Sequence, residues 1–123
     1  MESKAQIYAV ATGTGSYLPP VVMKNSDYAG VAFYNEDGSR IETPGEEIVA
    51  KFEQITDIRE RRCVADNQVT SDIAALAGRQ AIEASGIDPE MLDYIIVAHN
   101  LGDVKHGSNY PDILPTLASR VKQ

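Results

Sequence analysis

Cysteine and tryptophan are scarce in this 123-residue sequence, in which Cys63 is the only cysteine and tryptophan is absent. A single cysteine cannot form an internal disulfide, and together with two histidines it gives no set spaced like a zinc site. No apolar run approaches the length of about 18 residues that a membrane-spanning helix needs. The polar start at residues 1–4 does not resemble a signal peptide, so we expect a cytoplasmic protein.

Basic residues are also in deficit, with 11 lysines and arginines against 18 acidic residues and a net charge of −7. Nucleic acids and anionic membranes bind cationic surfaces, so we expect neither as a general partner. The one local exception is the cluster Arg59, Arg61 and Arg62. These side chains could bind a phosphate, but we favour surface ion pairs with nearby acids such as Glu53 and Glu60.

The hydrophobic pattern predicts an α/β protein with helices between strands. At 43% hydrophobic residues the chain can bury a core. We predict strands at 6–12, 58–64 and 94–98, and a hairpin within 31–42 around the turn Asp37-Gly38. We predict helices that start near 43–47, at 70–72 and at 114, short helical turns at 25–27 and 88–90, and a polar loop over 100–112.

The glycine-containing segment 12–16 has two interpretations. Its glycines could form a phosphate-binding loop, but a dinucleotide fingerprint requires three glycines that open a helix. Here the segment leads into Tyr17-Leu18-Pro19-Pro20, which cannot open a helix. We therefore favour a turn.

Five segments resemble, in order, the opening of thiolase-superfamily condensing enzymes of the β-ketoacyl-[acyl-carrier-protein] synthase III type. They are 12–19 (TGTGSYLP), 57–62 (DIRERR), 70–74 (TSDIA), 84–88 (ASGID) and 93–98 (DYIIVA). Any one of them alone would be a weak signal. Their common order over nearly the whole chain makes the resemblance specific.

The resemblance implies a thiolase-like α/β fold, of which residues 1–123 form a truncated N-terminal domain in the first half of an αβαβα layered structure. The parent enzyme would be an acyltransferase that condenses an acyl thioester with a malonyl-carrier thioester in fatty-acid or aryl-lipid biosynthesis. In such enzymes the nucleophilic Cys, and the His and Asn of the site, lie later in the chain. We therefore expect no catalytic residue here and an inactive fragment.

The resemblance also implies three substrate contacts. Leu114 matches the apolar residue that reaches into a partner subunit's acyl pocket, and Asn100 falls near a pocket-lining position. Lys51 falls where family members have an arginine near the coenzyme A nucleotide, whereas Glu47 replaces a tryptophan that stacks on adenine. The expected substrate is an acyl-CoA or acyl-carrier-protein thioester with no bound cofactor, and the expected partners are acyl carrier protein and a second copy of the chain.

Several other hypotheses remain open at this stage. The chain could instead be a self-contained, non-catalytic module for carrier interaction or oligomerisation. A fragment should expose apolar faces and self-associate. His99, His106 and Asp103 share one region, but their spacing matches no metal motif, so we predict no metal site. Cys63 follows three arginines, yet lies in a predicted strand without a candidate base, which favours a structural role.

Overall fold

The computed structural model describes residues 7–123, which form a small mixed α/β structure. It contains two compact units, one made of residues 7–18 with Asp66–Gln123 and the other of Pro19–Ala65. Within residues 7–123, no helix is long and apolar enough to cross a membrane.

The unit Pro19–Ala65 contains a two-stranded antiparallel ribbon and one helix. Strand β1 (Val21–Lys24) pairs with β2 (Glu60–Cys63), and helix α1 covers Gly45–Thr56. The predictions of a strand within 58–64 and of a helix from 43–47 are confirmed. We did not predict β1, because prolines immediately precede it and its four residues give no readable alternation.

A short hairpin and a helical turn complete this unit, as predicted. Tyr34 and Arg40 form an isolated antiparallel bridge, and the backbone N–H of Ile41 donates to the carbonyl of Phe33 at 2.8 Å. At the tip, the Asp37 carboxylate accepts the backbone N–H of Ser39 at 2.9 Å and its hydroxyl at 2.6 Å. A single 3₁₀ turn, Asn25–Tyr28, follows β1.

Helix α2 (Thr70–Ser85) organises the other unit and ends as the sequence predicts. Gly86 adopts the left-handed conformation at φ 65°, which a residue with a Cβ rarely accepts. The predicted capping residues 70–72 are wrong in detail. The N-cap is Val69, whose backbone N–H donates to the Asp72 carboxylate at 2.9 Å. Ser71 is therefore free to bond elsewhere.

The prediction of a strand at 6–12 is wrong for residues 7–12, which form no strand in the described part of the chain. Gln6 lies outside the described residues. The predicted turn at 12–16 is also wrong, because the segment runs without a turn directly along α2. A methyl group added to Gly15 would lie within 3.0 Å of backbone atoms of Ala77 and Ala81. Only glycine allows this approach, so the glycines serve packing against a helix.

The predicted buried strand at 94–98 is wrong as well. These residues form no strand in the described chain, and Ile96 is 91% exposed while Tyr94 is 86% exposed. A strand covered on both faces needs neighbouring strands and covering helices. Among the described residues, no strand pairs with this run.

The region 100–112, which we predicted to be a loop, contains a minimal ribbon. Strand β3 (Asp103–Val104) pairs antiparallel with β4 (Pro111–Asp112). Helix α3 (Leu117–Lys122) follows and begins three residues later than predicted, because the Thr116 hydroxyl accepts the Ser119 N–H at 3.3 Å and caps it there. The short helical turn predicted at 88–90 is confirmed as the 3₁₀ turn Pro89–Met91, with Asp88 as its cap.

Candidate functional site

The most buried large side chain among residues 7–123 is a carboxylate, that of Asp103, which is 1% exposed. It accepts the backbone N–H of Ser71 at 2.8 Å and the Ser71 hydroxyl at 2.6 Å. The guanidinium of Arg120 donates to it at 3.0 Å. A buried carboxylate is costly unless donors surround it, and these three contacts satisfy it.

Arg120 connects this carboxylate to the segment that carries Leu114. Its Nε donates to the carbonyl of Pro115 at 3.0 Å, and its Nη2 donates to the carbonyl of Leu114 at 3.1 Å. The Leu114–Pro115 peptide bond is cis. One guanidinium thus joins β3, the segment before α3 and α3 itself, and it fixes the backbone from which Leu114 projects.

The structure places two of the three predicted substrate contacts in the same unit. Leu114 is 80% exposed, and Asn100 is an exposed residue immediately before the β3–β4 ribbon. Lys51 lies in the other unit, exposed on helix α1 beside the exposed Glu47. The assignments of these residues to substrate therefore stay predictions.

The residues that suggested a metal or acid–base triple do not converge. His106 Nδ1 lies 3.2 Å from the exposed carboxylate of Asp66, and His99 Nδ1 lies 2.8 Å from the carbonyl of Leu101. Asp103 is bonded to Ser71 and Arg120 instead. Across residues 7–123, no group of three His, Cys, Asp or Glu side chains could hold a metal ion.

The arginine cluster also divides into separate contacts. Arg59 pairs with Glu53 at 3.4 Å, as we favoured from the sequence. Arg61 donates to the Asn25 side-chain carbonyl at 3.1 Å, whereas Arg62 only approaches the Pro19 carbonyl at 3.5 Å. Alternation along β2 points Arg61 and Arg62 to opposite faces, and Arg59 is paired with Glu53, so the three cations do not form one phosphate site.

Sequence reasoning missed the contacts among Ser71, Asp103 and Arg120. Asp103 is 32 positions from Ser71 and 17 from Arg120. The only signals in the sequence are a serine in the first turn of α2 and an arginine in the last turn of α3. Neither residue type indicates its distant partner.

Comparison with known proteins identifies relatives of this chain, although no family model matches it. It is 41% identical over 97 residues to β-ketoacyl-[acyl-carrier-protein] synthase III of Laribacter hongkongensis, a match that covers 79% of this chain and 26% of that relative. The synthase III of Xanthomonas euvesicatoria is 37% identical over 99 residues, which is 80% of this chain and 26% of the relative. Synthase III 1 of Vibrio cholerae is 42% identical over 92 residues, 75% of this chain and 25% of the relative.

These similarities place the chain among the ketoacyl synthases. Within that class it belongs to the β-ketoacyl-[acyl-carrier-protein] synthase III family, as its five segments predicted. The chain spans about a quarter of the length of the curated relatives it matches.

Proposed function

We propose that this chain is the N-terminal part of an acyltransferase that condenses an acyl thioester with a malonyl-carrier thioester. The observation that carries the proposal is the 41% identity over 79% of the chain to a protein named for β-ketoacyl synthesis on a carrier. The chain spans only 26% of that relative, which agrees with a part rather than a whole enzyme.

The chemistry of the parent would proceed in two steps at a cysteine outside this chain. The cysteine thiolate attacks the acyl thioester carbonyl, and the carrier thiol leaves as the acyl-cysteine forms. The malonyl-carrier thioester then loses CO₂, and the resulting carbanion attacks the acyl-cysteine and releases the thiolate. A helix N-terminus that lowers the thiol pKa and donors to the oxyanion would serve both steps.

The chain's own role in this proposal is structural. Residues 1–123 would form a truncated thiolase-like domain that ends before the catalytic cysteine and contributes to an αβαβα layered fold. The exposed apolar segment 94–98 supports this assignment, because Ile96 and Tyr94 are suited to a sheet interior yet are 91% and 86% exposed in the described chain. The fragment alone would be inactive.

Leu114 and Asn100 would contribute to the acyl-binding wall. The exposed side chain of Leu114 stands on backbone that Arg120 holds through two carbonyls. A fixed backbone with an outward apolar side chain is a suitable contact for an acyl chain.

Lys51 would lie near the donor's phosphate-bearing group, because it is an exposed cation on α1. Glu47, one helical turn earlier, places a carboxylate where an adenine platform would be needed. Loss of that stacking would weaken coenzyme A binding by about 1–3 kcal/mol, which favours a carrier-bound donor. The proposed partners are acyl carrier protein and a second copy of the chain, in the cytoplasm and without a bound cofactor.

The alternative of a self-contained carrier-interaction or oligomerisation module is not favoured by the comparisons. The relatives that match the chain are named as synthases, and the match extends over 75–80% of its residues.

Acyl transfer can be tested directly on the chain by intact-mass spectrometry. Incubation with acyl-CoA or acyl-carrier-protein thioesters should leave the chain unmodified beyond the background seen with Cys63→Ser. A longer polypeptide that begins with this chain should become acylated at another cysteine and should then condense with malonyl-carrier thioester. Rapid acylation of Cys63, or no acylation of the longer polypeptide, would contradict the proposal.

A further inference from the structure

A cleft of about 210 Å³ opens in the unit Pro19–Ala65, and none of the residues assigned to substrate above lines it. The cleft lies among the 3₁₀ turn, the hairpin, helix α1 and strand β2. Its lining residues are Asn25, Tyr28, Phe33, Val49, Phe52 and Arg61.

The hairpin supplies one apolar wall of this cleft. Its closing bridge between Tyr34 and Arg40 brings Phe33 onto α1, where its ring meets that of Phe52 edge-on at 5.8 Å between centroids and 75° between planes. Val49, which is buried on the same helix, forms the floor. Aromatic edges and a β-branched floor make a surface that favours an apolar ligand body.

The single charged group of the cleft is held in a fixed orientation. Arg61 donates from Nη1 to the Asn25 Oδ1 at 3.1 Å, and its guanidinium carbon lies 6.0 Å from the centre of the Tyr28 ring. Asn25 is itself fixed, because its Nδ2 donates to the carbonyl of Ile58 at 2.7 Å and to the Glu53 carboxylate at 3.2 Å. This network pre-orients the guanidinium beside the cleft.

Arg61 also has donors to spare. A guanidinium carries five N–H donors in a planar fork. Among residues 7–123, Arg59 has an ion pair with Glu53, but no carboxylate lies within 4.0 Å of the Arg61 guanidinium. A planar cation at an apolar cleft is matched by a carboxylate, which accepts two parallel N–H bonds.

We propose that this cleft binds a small monocarboxylate with an apolar body, of the size of a single aromatic ring. An apolar protein cavity of about 150 Å³ binds benzene, so the space here accommodates a ring and its carboxylate. An inorganic phosphate fits less well, since its additional charge and oxygens would face Phe33 and Phe52 without donors. The inference is independent of the proposed condensing function, because it uses no residue assigned to that function.

Benzoate titrated into the isotope-labelled 123-residue chain tests the proposal by NMR. We expect saturable shift changes centred on Tyr28, Phe52 and the Arg61 side chain. Benzyl alcohol, which has nearly the same shape without the charge, should bind at least about tenfold more weakly. Inorganic phosphate should not displace benzoate at equal concentration.

Arg61→Gln should weaken benzoate binding at least about tenfold, whereas Arg62→Gln, on the opposite face of the same strand, should change it less than about twofold. Arg61→Gln could disturb the fold, because it removes the hydrogen bond to Asn25. The comparison between benzoate and benzyl alcohol uses the unchanged chain, so it tests the need for a carboxylate in either case. The proposal would be overturned if benzoate and benzyl alcohol bound equally, or if phosphate displaced benzoate. It would also be overturned if Arg62→Gln weakened benzoate binding more than Arg61→Gln, or if the shift changes did not saturate.

Discussion

Two neighbouring regions of the chain reverse the usual relation between polarity and burial. In the apolar run 94–98, Ile96 is 91% exposed, yet five residues after that run the carboxylate of Asp103 is 1% exposed. The difference lies in the available partners. Asp103 finds three donors on Ser71 and Arg120, whereas the apolar run finds no strand to pair with among the described residues. Burial here follows the contacts that the chain provides, rather than hydropathy alone.

Removal of the buried carboxylate should have the largest effect on this comparison. Asp103→Ala removes the buried carboxylate that accepts from Ser71 and Arg120, and loss of one partner from a buried ion pair costs about 3–5 kcal/mol. We expect urea unfolding followed by circular dichroism to show a loss near the lower end, because Arg120 is 22% exposed.

Asp66→Ala is the matched control for that change, since this acid of the same unit is exposed and its carboxylate lies 3.2 Å from the exposed His106 Nδ1. Its cost should stay below about 1 kcal/mol. If Asp103→Ala were equally mild, the Asp103 network would not be formed in solution.

A methyl group on Gly15 should have the next largest effect. It would meet the α2 backbone at Ala77 and Ala81, which cannot move aside as a side chain can. We expect Gly15→Ala to cost about 1–3 kcal/mol of unfolding free energy. Gly30→Ala, where no atom lies within 4 Å of the added carbon, is the control and should be nearly neutral. Equal costs for the two changes would show that residues 12–16 do not pack on α2.

A charge in the apolar run should leave stability almost unchanged. Ile96→Lys alters a side chain that is 91% exposed, so the unfolding free energy should change by less than about 0.5 kcal/mol. The same change should reduce apolar-dye binding and self-association in sedimentation velocity, more than Ile55→Lys on α1 does. A cost above about 1 kcal/mol would mean that the run is packed in solution.

Protonation of Asp37 should produce the smallest effect, at the hairpin tip. The Ser39 hydroxyl, and then its backbone N–H, hold the pKa of the Asp37 carboxyl below its ordinary value of 3.8. Because the folded pKa is the lower one, this contact stabilises the tip above the ordinary pKa and is lost as pH falls through the folded value. In Ser39→Ala, an NMR titration should show the Asp37 pKa moving up towards the ordinary value, and an unchanged pKa would contradict the assigned cause.

Features set by neighbouring residues could be predicted from the sequence. The left-handed Gly86 ends α2 as expected, and Asp88 caps its turn by accepting the Glu90 N–H at 3.0 Å. The turn at Asp37-Gly38 closes the hairpin, since both its conformation and its hydrogen bonds are local. In each case the residues that decide the structure lie within four positions of one another.

Features that depend on distant partners could not be predicted. The run 94–98 has the composition of a strand, but a strand exists only with a neighbour to pair with. The burial of Asp103 depends on residues 32 positions before it and 17 after it. Of the candidate site, the family resemblance suggested Leu114, whose substrate role stays a prediction, but not the arginine that holds its backbone.

The position of Arg120 divides the region 100–112 into a root and a tip. The root is tied at Asp103, at Asp112, which lies 3.7 Å from Arg120 and 3.5 Å from Lys105, and where the Leu114 carbonyl accepts the guanidinium. The tip is the segment 106–110. We therefore expect a change in the length of the tip to leave the backbone of Leu114 in place, because the contacts that hold it are made by Arg120 and not by the tip.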